Sequence, residues 1–228
     1  VGRGGNVANS SDTGGQSKIY LNNGRGKFEQ SINLPLEKNA QVSVILAHDF
    51  DKDGLEDLMV GGRNVAGKYG QIPRSYLLKN LGANRYQDIT NQIAPGLANL
   101  GMVKDAAWTD IDADGTQDLI VIGEWMPITI FLNKNGKLVN ETASFGLEDT
   151  NGWWSSIAIE DFNQDGFPDV VVGNLGLNNR LKPTTEFPIK MVVADFDKNG
   201  STMVPARLMK VIIARIQISL VNPLKLFK

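Results

Sequence analysis

The chain has 228 residues, of which 42% are hydrophobic, so a sizeable buried core is expected. It contains no cysteine, which excludes a disulfide framework and thiol chemistry. The formal net charge of −2 at pH 7, with no basic stripe, argues against nucleic acid as a partner.

Short strand signals separated by glycine and asparagine turns run through most of the chain. Residues 1–6 match the end of a strand, and three later segments read strand, Asn/Gly turn, strand, which predicts hairpins. The predicted hairpins span 19–28, 76–86 and 130–138. Three β-branched runs that end in glycine, at 58–61, 119–123 and 170–173, are further strand signals. No helix-period segment stands out, so the sequence predicts an all-β fold.

Three nine-residue stretches, which we term the acidic loops, repeat one spacing of oxygen-bearing side chains. The oxygens stand at positions 1, 3, 5 and 9, and glycine stands at position 6. Because alternate residues of a curled loop point inward, these side chains and the backbone carbonyl of position 7 can surround a cation. The predicted ligands are Asp49, Asp51, Asp53, Leu55 and Asp57 in the first loop, Asp110, Asp112, Asp114, Thr116 and Asp118 in the second, and Asp161, Asn163, Asp165, Phe167 and Asp169 in the third.

Calcium is the expected cation, in preference to magnesium, because it takes about six or seven oxygen ligands in flexible geometry. An EF-hand shares the first half of this spacing but needs a glutamate at position 12, where these loops have Val60, Val121 and Val172. Each loop is therefore expected to join two strands and to bind one ion. Asp-rich surface turns that bind no metal are the alternative.

The repeat changes near residue 200. Asp195, Asp197 and Asn199 are candidate ligands of a fourth site at 195–203, but its ninth residue is Met203 in place of an acid. From 203 to 228 the chain has five basic residues and no acidic residue. A terminal strand is one interpretation; we favour a reading-frame slip near Thr202, because motif and composition change together. The apolar stretch at 211–221 is shorter than the about 20 residues that span a bilayer.

The acidic loops recur at an interval of roughly 50 to 60 residues, which is typical of repeated supersecondary units. Each unit is predicted to hold four antiparallel strands, one on either side of the acidic loop and two in the hairpin. Four such strands make one blade of a β-propeller.

These motifs resemble the FG-GAP/VCBS repeat, the calcium-loop blade of the integrin α-subunit N-terminal propeller. The resemblance rests on Asp-Phe-Asp-x-Asp-Gly followed by an Asp-Leu-x-Val-Gly-type strand, and it covers residues 1–202. Segments 73–78, 123–127 and 173–178 resemble more narrowly the bacterial VCBS-repeat proteins of the ASPIC/UnbV-associated group. The resemblance implies a secreted or surface-exposed protein, extracellular or in a bacterial cell envelope, whose loop cations are structural.

The repeats and the resemblance predict a partial first blade at 1–39 and blades at about 40–100, 101–150 and 151–202, followed by an atypical tail at 203–228. This number of blades is too small to close the usual ring of four to eight. We therefore expect an incomplete ring, a fragment of a larger, seven-bladed propeller. The remaining blades and a signal peptide are expected in the full-length protein.

A non-catalytic adhesion scaffold that binds protein or carbohydrate at exposed propeller loops is the expected function. The alternative is an enzyme, or an enzyme-associated domain, that acts on polysaccharide or phosphoester. No nucleophile motif supports the alternative, and His48, the only histidine, is expected to be structural. Trp125, Trp153 and Trp154 are expected to fill gaps between blades, with a sugar-stacking platform as their alternative role.

Overall fold

The computed structural model describes residues 16–66, 68–176, 191, 193 and 194. Its first element is an antiparallel hairpin of β1 (Lys18–Asn22) and β2 (Phe28–Asn33). Asparagine side chains shape the turn, since Asn22 Oδ1 accepts a hydrogen bond from the Gly24 N–H at 2.9 Å. An asparagine that hydrogen-bonds the backbone two residues on is a turn former, so the Asn/Gly signal has a direct physical cause here.

The next sheet has four antiparallel strands in sequence order, joined by the first acidic loop and by a hairpin. The strands are β3 (Gln41–His48), β4 (Asp57–Asn64), β5 (Tyr76–Asn80) and β6 (Tyr86–Asp88). A short helix, α1 (Thr90–Ile93), and a 3₁₀ turn (Pro95–Leu97) lead to the following sheet. Buried Thr90 anchors this connection, because its hydroxyl oxygen accepts the Leu77 N–H at 2.8 Å.

We term the four-stranded sheet of β3–β6 the first sheet. The second sheet, which has six strands, repeats its order and continues into the next unit. Its strands are β7 (Met102–Thr109), β8 (Asp118–Met126), β9 (Thr129–Lys134) and β10 (Lys137–Asn140), followed by a 3₁₀ turn (Thr142–Phe145) and by the hairpin of β11 (Gly152–Glu160) and β12 (Asp169–Asn174). β11 also pairs with the far end of β8, where Gly152 lies opposite Met126. Neighbouring units are thus joined by backbone pairing as well as by packing.

The main hydrophobic core lies between the four-stranded first sheet and the six-stranded second sheet. Met59 and Leu77 from one sheet pack with Val103, Leu119 and Phe131 from the other, and all five side chains are fully buried. Burying a side chain of this size stabilises the fold by about 1.5–3 kcal/mol. β7 lies against β3, β4 and β11, so the first strands of successive units are neighbours.

The predicted fold class is confirmed. The three hairpins form, each acidic loop joins two strands, and the sheets are antiparallel in the order expected of propeller blades. The exact blade boundaries stay predictions. Within the described part of the chain, no helix has the length and apolar character needed to cross a membrane.

The glycine that ends each β-branched run lies close to atoms of a neighbouring strand. A Cβ on Gly123 would lie 2.2 Å from the Met102 carbonyl oxygen and 2.7 Å from the Met126 Sδ. Gly61 is crowded as well, because its Cβ would lie 2.6 Å from the Val103 Cγ1. These glycines let successive strands pack without a gap.

Gly123→Ala is expected to destabilise the protein by about 3 kcal/mol, because backbone atoms must move to admit the methyl group. Gly96→Ala is the matched control, since its Cβ would meet the Phe131 Cε1 at an ordinary 3.4 Å. The control should change the free energy of unfolding by less than about 1 kcal/mol. Urea denaturation followed by circular dichroism measures both, and equal stabilities of the two variants would contradict the close approach.

Candidate metal centres

All three acidic loops adopt one backbone shape. Glycine at position 6 has the left-handed conformation that its lack of a Cβ allows, as predicted. The φ angles there are 86° at Gly54, 85° at Gly115 and 92° at Gly166. Position 4 is left-handed too, which the sequence did not reveal because its residues are not glycine. The φ angles there are 61° at Lys52, 59° at Ala113 and 59° at Gln164.

The aspartate at position 1 closes each loop on itself. Asp49 Oδ1 accepts the Asp53 N–H at 3.0 Å, and its Oδ2 accepts the Gly54 N–H at 2.8 Å. Asp110 makes the same pair of bonds at 3.0 and 2.9 Å, and Asp161 at 3.1 and 2.9 Å. Carboxylate bonds to backbone N–H groups fix the loop shape, so position 1 has a structural role besides any metal role.

The first loop brings three carboxylates together. One oxygen of each of Asp49, Asp51 and Asp57 lies within 4.8 Å of the others. Asp57 is only 1% exposed, its Oδ1 accepts the Asn80 N–H at 2.7 Å, and its Oδ2 has no hydrogen-bond partner. A buried carboxylate oxygen without a partner is costly unless something positive approaches it. Burial raises the pKa of Asp57 to about 6; the Asn80 hydrogen bond opposes this rise, and the charges of Asp51 and Asp53 add to it.

A lysine reaches into the first loop from the neighbouring strand. The ammonium group of Lys79, in β5, pairs with Asp51 and lies 3.0 Å from the Asp53 Oδ2. Its hydrogen bonds to the two carboxylates raise the pKa of Lys79 and lower that of Asp53. Lys79 thus supplies one positive charge to the first loop, but it leaves the Asp57 Oδ2 unpartnered.

The second loop also gathers three carboxylates, from Asp110, Asp112 and Asp118, within 4.8 Å. Asp118 is 1% exposed, and its two oxygens accept the Asn133 N–H at 2.8 Å and the Ile111 N–H at 3.0 Å. Burial raises the pKa of Asp118, and these two hydrogen bonds oppose the rise. This aspartate therefore joins the loop to the start of β8 and to the hairpin beyond it.

No lysine takes the place of Lys79 in the second sheet. The residue that follows the ninth loop position pairs with Leu78 in the first sheet and with Phe131 in the second. The next residue along the strand is Lys79 in the first sheet and Leu132 in the second, so Leu132 is the equivalent of Lys79. Asp114, at position 5, accepts the Thr116 N–H at 2.7 Å and the Thr116 hydroxyl at 2.6 Å, and these bonds lower its pKa. The second loop therefore has no lysine at the place of Lys79. A lysine charge reaches it instead from Lys52, whose ammonium donates to the Gly115 carbonyl at 3.3 Å.

The third loop has the same backbone but a different donor set. Asn163 replaces the carboxylate at position 3, and its amide donates to the Asp165 Oδ2 at 3.0 Å. Asp169 Oδ2 accepts the Phe162 N–H at 2.9 Å. Among the described residues, a group of three converging carboxylates occurs in the first and second loops. The fourth predicted site, with Asp195, Asp197, Asn199 and Met203, lies outside the described residues.

Sequence reasoning missed the residues that hold the ninth aspartate from outside the loop. Asn80 and Asn133 donate their backbone N–H groups to Asp57 and Asp118. Both asparagines occupy the same position in the predicted hairpins, so the repeat indicated that they share a role. The Asn133 side chain also donates to the Phe50 carbonyl at 3.3 Å, which links the second sheet to the first acidic loop.

One family of known proteins matches this chain. The FG-GAP-like repeat family matches residues 7–60 and 110–172, which together make just over half of the chain. Both ranges contain strands that flank acidic loops, the feature on which the resemblance above rests. Among curated proteins, none is similar enough to be matched to the chain. The narrower resemblance to the ASPIC/UnbV-associated group stays a prediction.

Proposed function

The chain belongs to the FG-GAP-like repeat family, and from that membership and the geometry of its loops we propose that it is a calcium-binding β-propeller scaffold of an extracellular or cell-envelope protein. Repeats of this family form scaffolds that are typically not catalytic. The scaffold is proposed to present exposed loops to a protein or glycan partner while calcium holds the acidic loops. The Asp57 Oδ2, buried and without a partner beside two further carboxylates, carries the metal part of the proposal.

The donor set fits calcium. The side chains at positions 1, 3, 5 and 9 are carboxylates, with one amide in the third loop, and hard cations prefer such oxygen ligands. Asp49, Asp51 and Asp57 would hold the ion in the first loop, and Asp110, Asp112 and Asp118 in the second. Magnesium is less suited, because it demands near-ideal octahedral geometry and keeps several waters. The third loop, with Asn163 at position 3, would hold its ion with less negative charge.

Bound calcium would stabilise the sheets that the loops connect. Carboxylates brought within 4.8 Å of one another repel when all are charged, and a divalent ion replaces that repulsion with attraction. Because the converging geometry belongs to the folded state, binding adds to the free energy of unfolding. At a calcium concentration of 100 times the Kd, the gain is about 2.7 kcal/mol for each site. Modules that work outside cells commonly bind calcium with Kd values of about 10⁻⁴–10⁻³ M.

Isothermal titration calorimetry of the full chain with calcium tests the proposal. We expect saturable binding of up to three ions and a higher melting temperature in millimolar calcium than in excess chelator. Asp57→Asn should remove one ion, because an amide lacks the charge of the buried carboxylate. Glu56→Gln, the matched control, removes an exposed acid of the same loop that is not among the converging carboxylates, and should leave the stoichiometry unchanged.

Two outcomes would count against a calcium scaffold. The first is a melting temperature that does not differ between millimolar calcium and chelator. The second is an equal stoichiometry in Asp57→Asn and in the unsubstituted protein, which would place the ions elsewhere. The second outcome is interpreted only for an Asp57→Asn variant that circular dichroism shows to be folded.

A further inference from the structure

A cluster of aromatic and charged side chains lies at the end of β8 opposite to the acidic loop. We term it the tryptophan cluster: Tyr69, Lys104, Glu124, Trp125 and Trp153. Trp125 and Trp153 are in contact, with ring centroids 5.5 Å apart and planes inclined at 42°. Trp153 and Tyr69 are each 37% exposed, and Trp125 is half-buried. Trp154 is 3% exposed and buried, as expected, whereas Trp125 and Trp153 are partly exposed.

A bulge places Trp125 in this cluster. Glu124 lies opposite Trp153 and Met126 lies opposite Gly152, so Trp125 is an extra residue in β8. Its φ angle is 63°, a left-handed conformation that is an outlier for a bulky side chain. Successive side chains of a regular strand point to opposite faces, and bulges re-aim a side chain. Here the bulge brings the Trp125 ring against Trp153, at a conformational cost that glycine would not incur.

Polar groups converge at the edge of the Trp125 indole ring. The Tyr69 hydroxyl donates to the Glu124 Oε2 at 2.6 Å and accepts the Trp125 Nε1–H at 3.0 Å. The Lys104 Nζ lies 3.3 Å from the Glu124 Oε1, and Glu124 is only 9% exposed. Burial raises the pKa of Tyr69, so its hydroxyl stays protonated and able to donate. The cluster thus combines exposed aromatic faces with a fixed acceptor and a fixed donor.

The charged groups of the tryptophan cluster restrict the chemical class of ligand that it can bind. The Glu124 carboxylate is already paired with Lys104, and the positive charge of Arg63 also acts on Tyr69. No net negative charge remains to attract a cationic peptide or a quaternary amine. Aromatic faces with a few fixed polar groups suit a ligand whose surface is apolar on its faces and hydroxylated at its edges. A hexopyranose ring with equatorial hydroxyls has that surface.

We propose that the tryptophan cluster binds a neutral β-linked hexopyranose chain, an inference that rests on the proposed function because it assigns the scaffold a glycan ligand. Trp125 and Trp153 stack against sugar rings, and the carboxylate of Glu124 and the ammonium of Lys104 bond sugar hydroxyls. The indole planes are inclined at 42°, so the pair offers two faces that are not parallel. Such a pair fits a twisted soluble oligosaccharide better than the flat face of a crystalline polymer.

Tryptophan fluorescence of the full chain, titrated with cellohexaose and with chitohexaose in millimolar calcium, tests this site. We expect saturable quenching by at least one of the two. Trp125→Gly and Trp153→Ser should each weaken that binding by at least about tenfold, because each removes one stacking face. Trp125→Gly should also keep a melting temperature within about 5 °C of the parent, since glycine tolerates the left-handed backbone.

Trp108→Phe is the matched control, because Trp108 packs against His48 at a ring distance of 5.1 Å on the acidic-loop side of β7. Its affinity for the oligosaccharide should match that of the parent. No saturable binding of either sugar, unchanged affinity in a folded Trp125→Gly variant, or binding of decaproline in place of the sugars would each overturn the inference. Calcium titration of the same samples separates the two proposals, since calcium binding without sugar binding overturns this site alone.

Discussion

Replacing Asp118 with alanine is expected to destabilise the protein by about 2–4 kcal/mol in the absence of calcium. The change leaves the N–H groups of Ile111 and Asn133 without their acceptor in a buried place, and each unsatisfied buried donor costs about 1–3 kcal/mol. In millimolar calcium the loss should be larger, by about 2.7 kcal/mol at 100 times the Kd, because the second loop then also loses its ion. Urea denaturation in chelator measures the loss from the unsatisfied hydrogen bonds, and the additional loss in calcium measures the contribution of the ion.

Asp112→Ala separates the structural part from the metal part. Asp112 belongs to the same converging group but is exposed, and its one hydrogen bond, from the Asp114 N–H, is long at 3.3 Å. This variant should match the parent in chelator and fall below it in calcium. If Asp112→Ala and the parent gained equal stability from calcium, the assignment of an ion to the second loop would be wrong. If Asp118→Ala were as stable as the parent in chelator, its bridging role would be wrong.

Replacing Lys79 with leucine is expected to raise the calcium affinity of the first loop by about tenfold, which corresponds to about 1.4 kcal/mol. The ammonium group pairs with Asp51 and Asp53, so calcium must displace it or share these carboxylates with it. Leucine is the natural residue at the equivalent place in the second sheet, where Leu132 stands. Without calcium the same variant should be less stable than the parent, because the carboxylates lose their nearest positive charge.

Calorimetry in an Asp112→Ala, Asp165→Ala background, in which the second and third loops are disabled, isolates this effect. Lys134→Leu serves as the control, since Lys134 pairs with Glu141, outside the acidic loops. The control should leave the calcium affinity of the first loop unchanged. An affinity that stays the same or falls in Lys79→Leu would mean that the lysine is not a competitor of the cation.

Much of the fold follows from local sequence signals. Strands were predictable because β-branched runs alternate with glycine and asparagine turns, and those turns are made by side chains such as Asn22 that act within a few residues. The left-handed glycines of the loops were predictable for the same reason, since only Gly54 and its equivalents tolerate such φ angles without cost. Spacing predicted that the side chains at positions 1, 3, 5 and 9 converge. The first and second loops bring the carboxylates of positions 1, 3 and 9 together, and their binding of an ion stays a prediction.

Features that depend on pairing between distant strands were not predictable. Lys79 approaches the first loop because β5 pairs with β4 in one register, and a shift by a single residue would turn it to the other face. The position of Trp125 depends on a bulge that forms where β11 joins the end of β8. All three tryptophans were expected to fill gaps between blades, but Trp125 and Trp153 form a partly exposed pair.

Asn133 links the first and second acidic loops through two hydrogen bonds. Its backbone N–H holds the aspartate that ends the second loop, while its side-chain amide holds the Phe50 carbonyl within the first. A single residue thus contacts both loops, so its position depends on the shape of each. Any resulting cooperativity must be reciprocal, because occupancy of either site alters the affinity of the other by the same factor.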